Sequence, residues 1–205
     1  MYLNPYVRGE GFMFRMFVDE FGVSARDTSP RPTVPVFSAL QERIAGFVSL
    51  FGVYEGVTFG NGLYTLHRLR DIGYWNTVVG EAFPSFANHI ECFGYDWLGR
   101  QFALDLRVGQ DSEPHVLLFE PGTGDVFEIP CDFAAFHRDE IPHQHDACLA
   151  SSFFSESVTE RGLVLSQGQC MGYIVPLFLG GEDVALNLEP SDMDVYWSLC
   201  GQLFC

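Results

Sequence analysis

An α+β fold, a central antiparallel meander flanked by N-terminal and C-terminal helices, is predicted by three features of this sequence. Apolar residues at helical spacing mark its first third, a period-two pattern broken by tight turns runs through its middle, and helical spacing returns in its last third. With 205 residues, 47% of them hydrophobic and 20 of them Phe, the chain has the material for a sizeable core. That much apolar content excludes a disordered chain. The expected layout is one domain over 1–205: a mainly helical part at 1–85, a sheet at 86–130 and a C-terminal helical part at 131–205.

The elements follow in order. Phe14, Phe17, Val18 and Phe21 share one helical face, and Gly22 stands where that helix should end. The stretch GVSARDTSPRPTVP reads as a loop from its Pro, Ser and Asp content. Leu40, Ile44, Phe47, Val48 and Phe51 predict a longer amphipathic helix closed by Gly52. Gly60, Asn61 and Gly62 form a tight turn before LYTLHRL. Asp71 is placed to cap a third helix with a buried stripe of Ile72, Trp75, Val79 and Ala82.

Period two then takes over. In RQFALDL, Phe102, Leu104 and Leu106 fall on one side and Gln101, Ala103 and Asp105 on the other. HVLLFE is an apolar run suited to a central strand. PGTG (Pro121 to Gly124) turns the chain into DVFEIP, with Phe127 and Ile129 expected inward. CDFAAFHRDEI reads as a short helix. DACLASSFFSESVTER reads as a longer one, with Leu149, Phe153 and Phe154 inward. GYIVPLFLGGED is extended up to a Gly-Gly turn. Ser191 and Asp194 resemble a capping box that opens a final helix, whose apolar face is Met193, Trp197, Cys200 and Phe204.

Charge bounds the partners. Eleven Arg and Lys against 27 Asp and Glu give −16, a surface that repels phosphate backbones and anionic lipid head groups. Direct binding of nucleic acid or membrane is therefore not expected, and a basic protein is the complementary partner. No apolar run approaches the roughly 20 residues of a membrane span. The N-terminal segment is interrupted by Arg8, Gly9, Glu10 and Arg15, unlike a signal peptide. Cys92, Cys131, Cys148, Cys170, Cys200 and Cys205 are widely spaced with no C-x-x-C pair, and read as reduced thiols of a cytoplasmic protein.

Candidate chemistry is sparse. The segment FHRDEIPHQHD gathers His137, Asp139, Glu140, His143, His145 and Asp146, ligand types that could serve a metal-dependent hydrolase. It lacks any defined ligand spacing, and Pro142 should break the element that would align it, so a solvated loop between two helices is the expected reading. No G-x-S-x-G elbow, phosphate loop or cysteine-nucleophile signature is present. Acidic neighbours such as Asp19–Glu20, Asp139–Glu140 and Glu182–Asp183 read as exposed. Trp75 and Trp197 read as core. Trp97, at the tip of a hairpin in GYDWLGRQF, is the candidate contact residue, because exposed aromatics anchor interfaces. With no catalytic, metal or cofactor residue assigned, the chain is expected to act by binding another protein.

Four segments carry a family resemblance: FGNGLYTLHRLRD, FGYDWLGRQFALD, LLFEPGTGDVFEIPCDFAAFHRDEI and GYIVPLFLGGEDVALNLEPSDMDVYWSLCGQL. Over roughly residues 40–205 the chain resembles bacterial immunity proteins of type VI secretion and other polymorphic toxin systems. The GLY segment is similar to their GAD-like part, and the pattern GY-x-VP…LGG…NL…GQL to their C-terminal immunity domain. The order of helix, meander and closing helix is similar to the SUKH superfamily, which includes antidotes to nuclease toxins. The resemblance implies a non-enzymatic neutraliser that binds a cognate toxin, basic and of nuclease type, and blocks its active site. A regulatory scaffold is the other role that relatives of this superfamily imply.

Overall fold

The middle strands bury both of their faces, and that decides the architecture. In β5 (Gln101–Asp105), Phe102 and Leu104 point into one core and Ala103 into another. In β6 (Val116–Glu120), Val116 and Leu118 join the first core, Leu117 and Phe119 the second. A strand wanted by apolar neighbours on both sides must lie between two layers of helix.

The computed structural model describes residues 13–28, 35–108 and 112–204. Arg8, Gly9, Glu10, Cys205 and the side chain of Phe204 lie outside the described residues. Within them the main sheet is a seven-stranded antiparallel meander. Its strands run in chain order: β1 (Val23–Arg26), β2 (Val57–Phe59), β3 (Tyr64–Leu66), β4 (Ile90–Asp96), β5, β6 and β7 (Asp125–Ile129). The expected meander is therefore present, but it starts earlier than residue 86. Three of its strands come from the part expected to be mainly helical, and β1 occupies part of the predicted loop.

One face of the sheet is covered by α1 (Arg15–Phe21), α2 (Ala39–Arg43), α3 (Phe47–Tyr54), α5 (Phe133–Ala135), α6 (Ile141–Leu149) and α7 (Ser151–Phe154). Their buried residues include Phe17, Phe47, Phe51, Phe133 and Leu149, joined by Phe136 between α5 and α6. The other face carries α4 (Leu69–Ala82) and α8 (Met193–Phe204), with Ile90, Cys92, Trp75, Val79 and Trp197 between them. A separate two-stranded ribbon, β8 (Gln169–Tyr173) with β9 (Leu188–Asp192), leads into α8. Of this ribbon the sequence pattern marked only Gly172 and Tyr173, the start of the segment expected to be extended.

Several local expectations are corrected. The single helix expected across Leu40–Phe51 is two, because the chain turns at Gly46, whose φ of +76° opens α3. A side chain there would collide with Phe14, the ring atom Cζ lying 2.7 Å from where its Cβ would sit. Gly52 lies inside α3 and does not close it. The capping box is instead at Ser38 and Gln41, opening α2. The stripe Ile72, Trp75, Val79 and Ala82 is buried as expected, but the N-cap of α4 is Arg68, with Asp71 in the first turn. The cap of α8 is Asp192, which accepts from Val195 N at 3.1 Å, while Ser191 Oγ turns to the Glu189 carbonyl. β7 is an edge strand, and Phe127 is 49% exposed rather than inward. Ile129 packs partly on the first core.

Candidate functional site

The histidine-and-acid segment is helical, where a solvated loop was expected. A π-type turn over Phe136–Glu140 runs directly into α6, and Pro142 fits that helix's first turn, where its missing N–H costs nothing. Winding disperses the six side chains. His137 points inward and is fully buried, ringed by Phe14, Phe17, Phe93, Phe133 and Phe136. Its Nδ1–H donates to the Phe133 carbonyl at 2.9 Å, so Nε2 accepts from the Tyr64 hydroxyl, also at 2.9 Å. Burial drives its pKa down to about 3, and the ring is neutral. His143 Nδ1–H donates to the Asp139 carbonyl at 2.7 Å, and His145 hydrogen-bonds Ser151 Oγ at 2.6 Å. Among the described residues no group of three or more His, Cys, Asp or Glu is placed to hold a metal ion.

Trp97 follows β4 at the hairpin tip, as the sequence indicated, but its ring is 1% exposed. It is enclosed edge-on by Phe153 and Phe154, and its Nε1–H donates to the Leu149 carbonyl at 2.8 Å. A side chain so enclosed presents nothing to a partner, which corrects its reading as a contact residue. Beside it lies a buried charge cluster. Asp96 accepts from the backbone N–H groups of Leu98 and Arg100 and pairs with the Arg100 guanidinium, 2.6 Å from Nε. Glu120 lies 3.6 Å from the same guanidinium. Two carboxyls share one cation out of water. Burial pushes Glu120 up to about 7 against the pull of Arg100, and Asp96 is raised as well. Arg100 Nη2 also ties the hairpin to the Cys148 carbonyl at 3.2 Å. This cluster braces the turn.

A cleft of about 450 Å³ opens on the second face of the sheet. It forms where the chain leaves β3 for α4, beneath the junction of β9 with α8. Its aromatic lining is His67, Tyr74, Trp75 and Tyr95, and its carboxylates are Asp27, Asp71, Asp192 and Asp194. The His67 ring stacks on Trp75, 5.5 Å between centroids and 18° from parallel, and Nε2–H donates to Gln101 Oε1 at 2.7 Å. Burial lowers its pKa to about 4, so it is neutral. Arg68 is buried and forms an ion pair with Asp27. The far wall is the loop before β8, latched by Gly168 N–H to the Tyr95 hydroxyl at 3.3 Å and by Met193 N–H to the Gly168 carbonyl at 2.9 Å.

Electrostatics in the cleft are unbalanced. Burial, then the neighbouring Asp192, raise the Asp194 carboxyl above its ordinary value. A hydrogen bond with the Tyr74 hydroxyl holds it back, and Asp71 pushes it further up. The Tyr74 hydroxyl is raised in turn, by desolvation and then by Asp194. No local pattern of residues marks this site. Asp27, the α4 neighbours Asp71 and Tyr74, and Asp194 come from three separate stretches of chain, which meet only in the fold.

Known proteins agree with part of this picture. Residues 136–204, about a third of the chain, match the family model described as T6SS immunity protein Tdi1, C-terminal. That match supports type VI secretion immunity kinship for the segment holding α6, α7, the β8–β9 ribbon and α8, a shorter span than the sequence resemblance. Among solved structures, the chain is similar to the crystal structure of Atu4351 from Agrobacterium tumefaciens. The TM-score is 0.61 at 12% identity, covering 92% of this chain and 88% of that one. At that identity the likeness shows a shared fold alone. No curated protein matches the chain.

Proposed function

We propose that this protein is a type VI secretion immunity protein that binds a cognate toxin and blocks its active site. The observation that carries the reading is the family match over residues 136–204, which includes the helix and ribbon that roof the cleft. The charge of −16 adds the chemistry of the partner, a basic toxin domain of nuclease type whose phosphate-binding groove an acidic surface complements. The protein acts in the cytoplasm by occupying the toxin, without chemistry of its own. The hydrolase alternative has no assembled ligand set among the described residues to support it.

Co-expression with the gene adjacent to this one tests the proposal. Growth rescued from a toxic neighbour supports it; a harmless neighbour, or a toxic one against which this protein gives no protection, overturns it. For the electrostatic part, association of the purified pair should slow by about tenfold or more between low and physiological salt, with dissociation changing less. An association rate indifferent to salt removes the basic partner and leaves the immunity reading standing.

A further inference from the structure

We infer that the cleft between α4 and the β9–α8 junction is the receptor for a positively charged side chain, a guanidinium or ammonium group, projecting from the toxin. This rests on the toxin-binding reading above and specifies where part of that binding falls.

Two independent features of the cleft point to a cation. The first is its lining of aromatic rings. Aromatic faces attract cations through their negative quadrupole; one face of Trp75 is taken by the neutral His67, which adds no opposing charge, and Tyr74 is the half-exposed ring of the lining. At about 450 Å³ the space admits one long basic side chain. The second is uncompensated charge. Asp71, Asp192 and Asp194 line a space in which Arg68 is the one cation among the described lining residues; its guanidinium pairs with Asp27 through Nη2, while its buried Nε makes no hydrogen bond. Arg70 reaches Asp71 only at 3.4 Å, on a half-exposed surface where such a pair is weak. The chain has no lysine, its basic residues all being arginine, so it offers no flexible ammonium of its own to fill the space. An arriving guanidinium would answer the repulsion that Asp194 and Asp192 now exert on each other. The same carboxylates repel a phosphate or a carboxylate ligand. Tyr74 is half exposed and hydrogen-bonded to Asp194, which places it at the rim where a partner's backbone would pass.

The test removes the same number of charges inside and outside the cleft. Affinity for the toxin domain encoded by the adjacent gene is measured for Asp71→Asn/Asp194→Asn and for a control, Asp125→Asn/Glu160→Gln, with thermal midpoints recorded for each. The cleft pair should weaken binding by about tenfold or more and the control by less than about twofold. Tyr74→Ala, at an exposed rim position, repeats the test without a charge change and should also weaken binding. Equal losses from both pairs, or none from the cleft variants, overturn the inference and leave the immunity reading intact. If the wild-type protein binds no such toxin, that reading fails first, and the cleft is read on its own with N-acetyl-arginine amide. A chemical shift at the Trp75 indole that the cleft pair abolishes supports the cation site, and no shift overturns it.

Discussion

The two faces of the sheet are built from the same residue classes and put to different uses. On the first, rings from α1, α3, α5, the π-type turn and α7 close around Phe93, Phe102 and Trp97, and His137, fully buried among them, has both ring nitrogens engaged. On the second, α4 and α8 cover less, and His67 lies under a cleft lined by acids. Both histidines are neutral because burial penalises their charged form. The first face shows how aromatic mass seals a core. The second shows that an opening survives where two helices from distant parts of the chain meet only along part of their length.

Removing the anchor of each face gives the largest expected effect. Trp97→Ala deletes a ring held by Phe153, Phe154 and the Leu149 carbonyl. Trp197→Ala deletes one that packs on Phe83 and donates to the Gly99 carbonyl at 2.7 Å. Gly99 has φ +75°, and Cys170 Sγ lies 2.9 Å from where a Cβ would sit, so the turn beneath Trp197 has no room to collapse into the space. Each variant should lose about 3–5 kcal/mol of stability, read by denaturant unfolding. A Trp197→Ala protein with an unchanged midpoint would show that the second face contributes little to the fold.

How much of this was legible in the sequence follows the same division. The α4 stripe and the alternation in β5 and β6 were readable because each is a local period, fixed by which positions of a helix or strand meet a core. The split between α2 and α3 was not, because it depends on Phe14, far off in the chain, standing over Gly46. β1, β2 and β3 have three or four residues each, too few to show a period. Trp97 was legible as a hairpin tip but not as buried, since α7 and the end of α6 cover it from more than fifty positions away. The cleft left no local trace at all. Its acids look like any others in a chain with 27 of them.

Acidity should separate the histidines from the buried carboxyl cluster. His137 and His67 have folded pKa values of about 3 and about 4 against an ordinary 6.5, so the unfolded chain binds more protons between those limits. Their contribution is complete above about pH 6.5 and is lost as pH falls towards 4. Glu120 has the opposite sign. Its folded pKa of about 7 exceeds the ordinary 4.5, so stability is highest below pH 4.5 on its account and declines as pH rises to about 7. At full extent the shifts of His67 and Glu120 correspond to roughly 3 kcal/mol each and that of His137 to roughly 5 kcal/mol. Compared with wild type, Glu120→Gln should flatten the decline between pH 4.5 and 7, and His67→Gln should flatten the loss on acidification. Parallel curves for Glu120→Gln and wild type would mean that Arg100 holds the carboxylate ionised in the fold.

The smallest effect should come from the aromatic that neither face claims. Phe127 pairs across the sheet with Leu118, so its side chain lies on the first face, in register with Phe102. Yet β7 is the last strand, and among the described residues no helix covers the Phe127 ring. Leu118 is buried while Phe127 stays 49% exposed. Its neighbour Ile129, two positions on, still packs on the core, and Val126 packs partly on the other face. The strand is thus held by its hydrogen bonds to β6 and by these two residues. Phe127→Thr keeps strand propensity while removing the ring, and should shift stability by no more than about 0.5 kcal/mol, read as a near-constant thermal midpoint. A loss comparable to that of Trp97→Ala would mean that the first face extends to the sheet edge and that Phe127 is covered in solution.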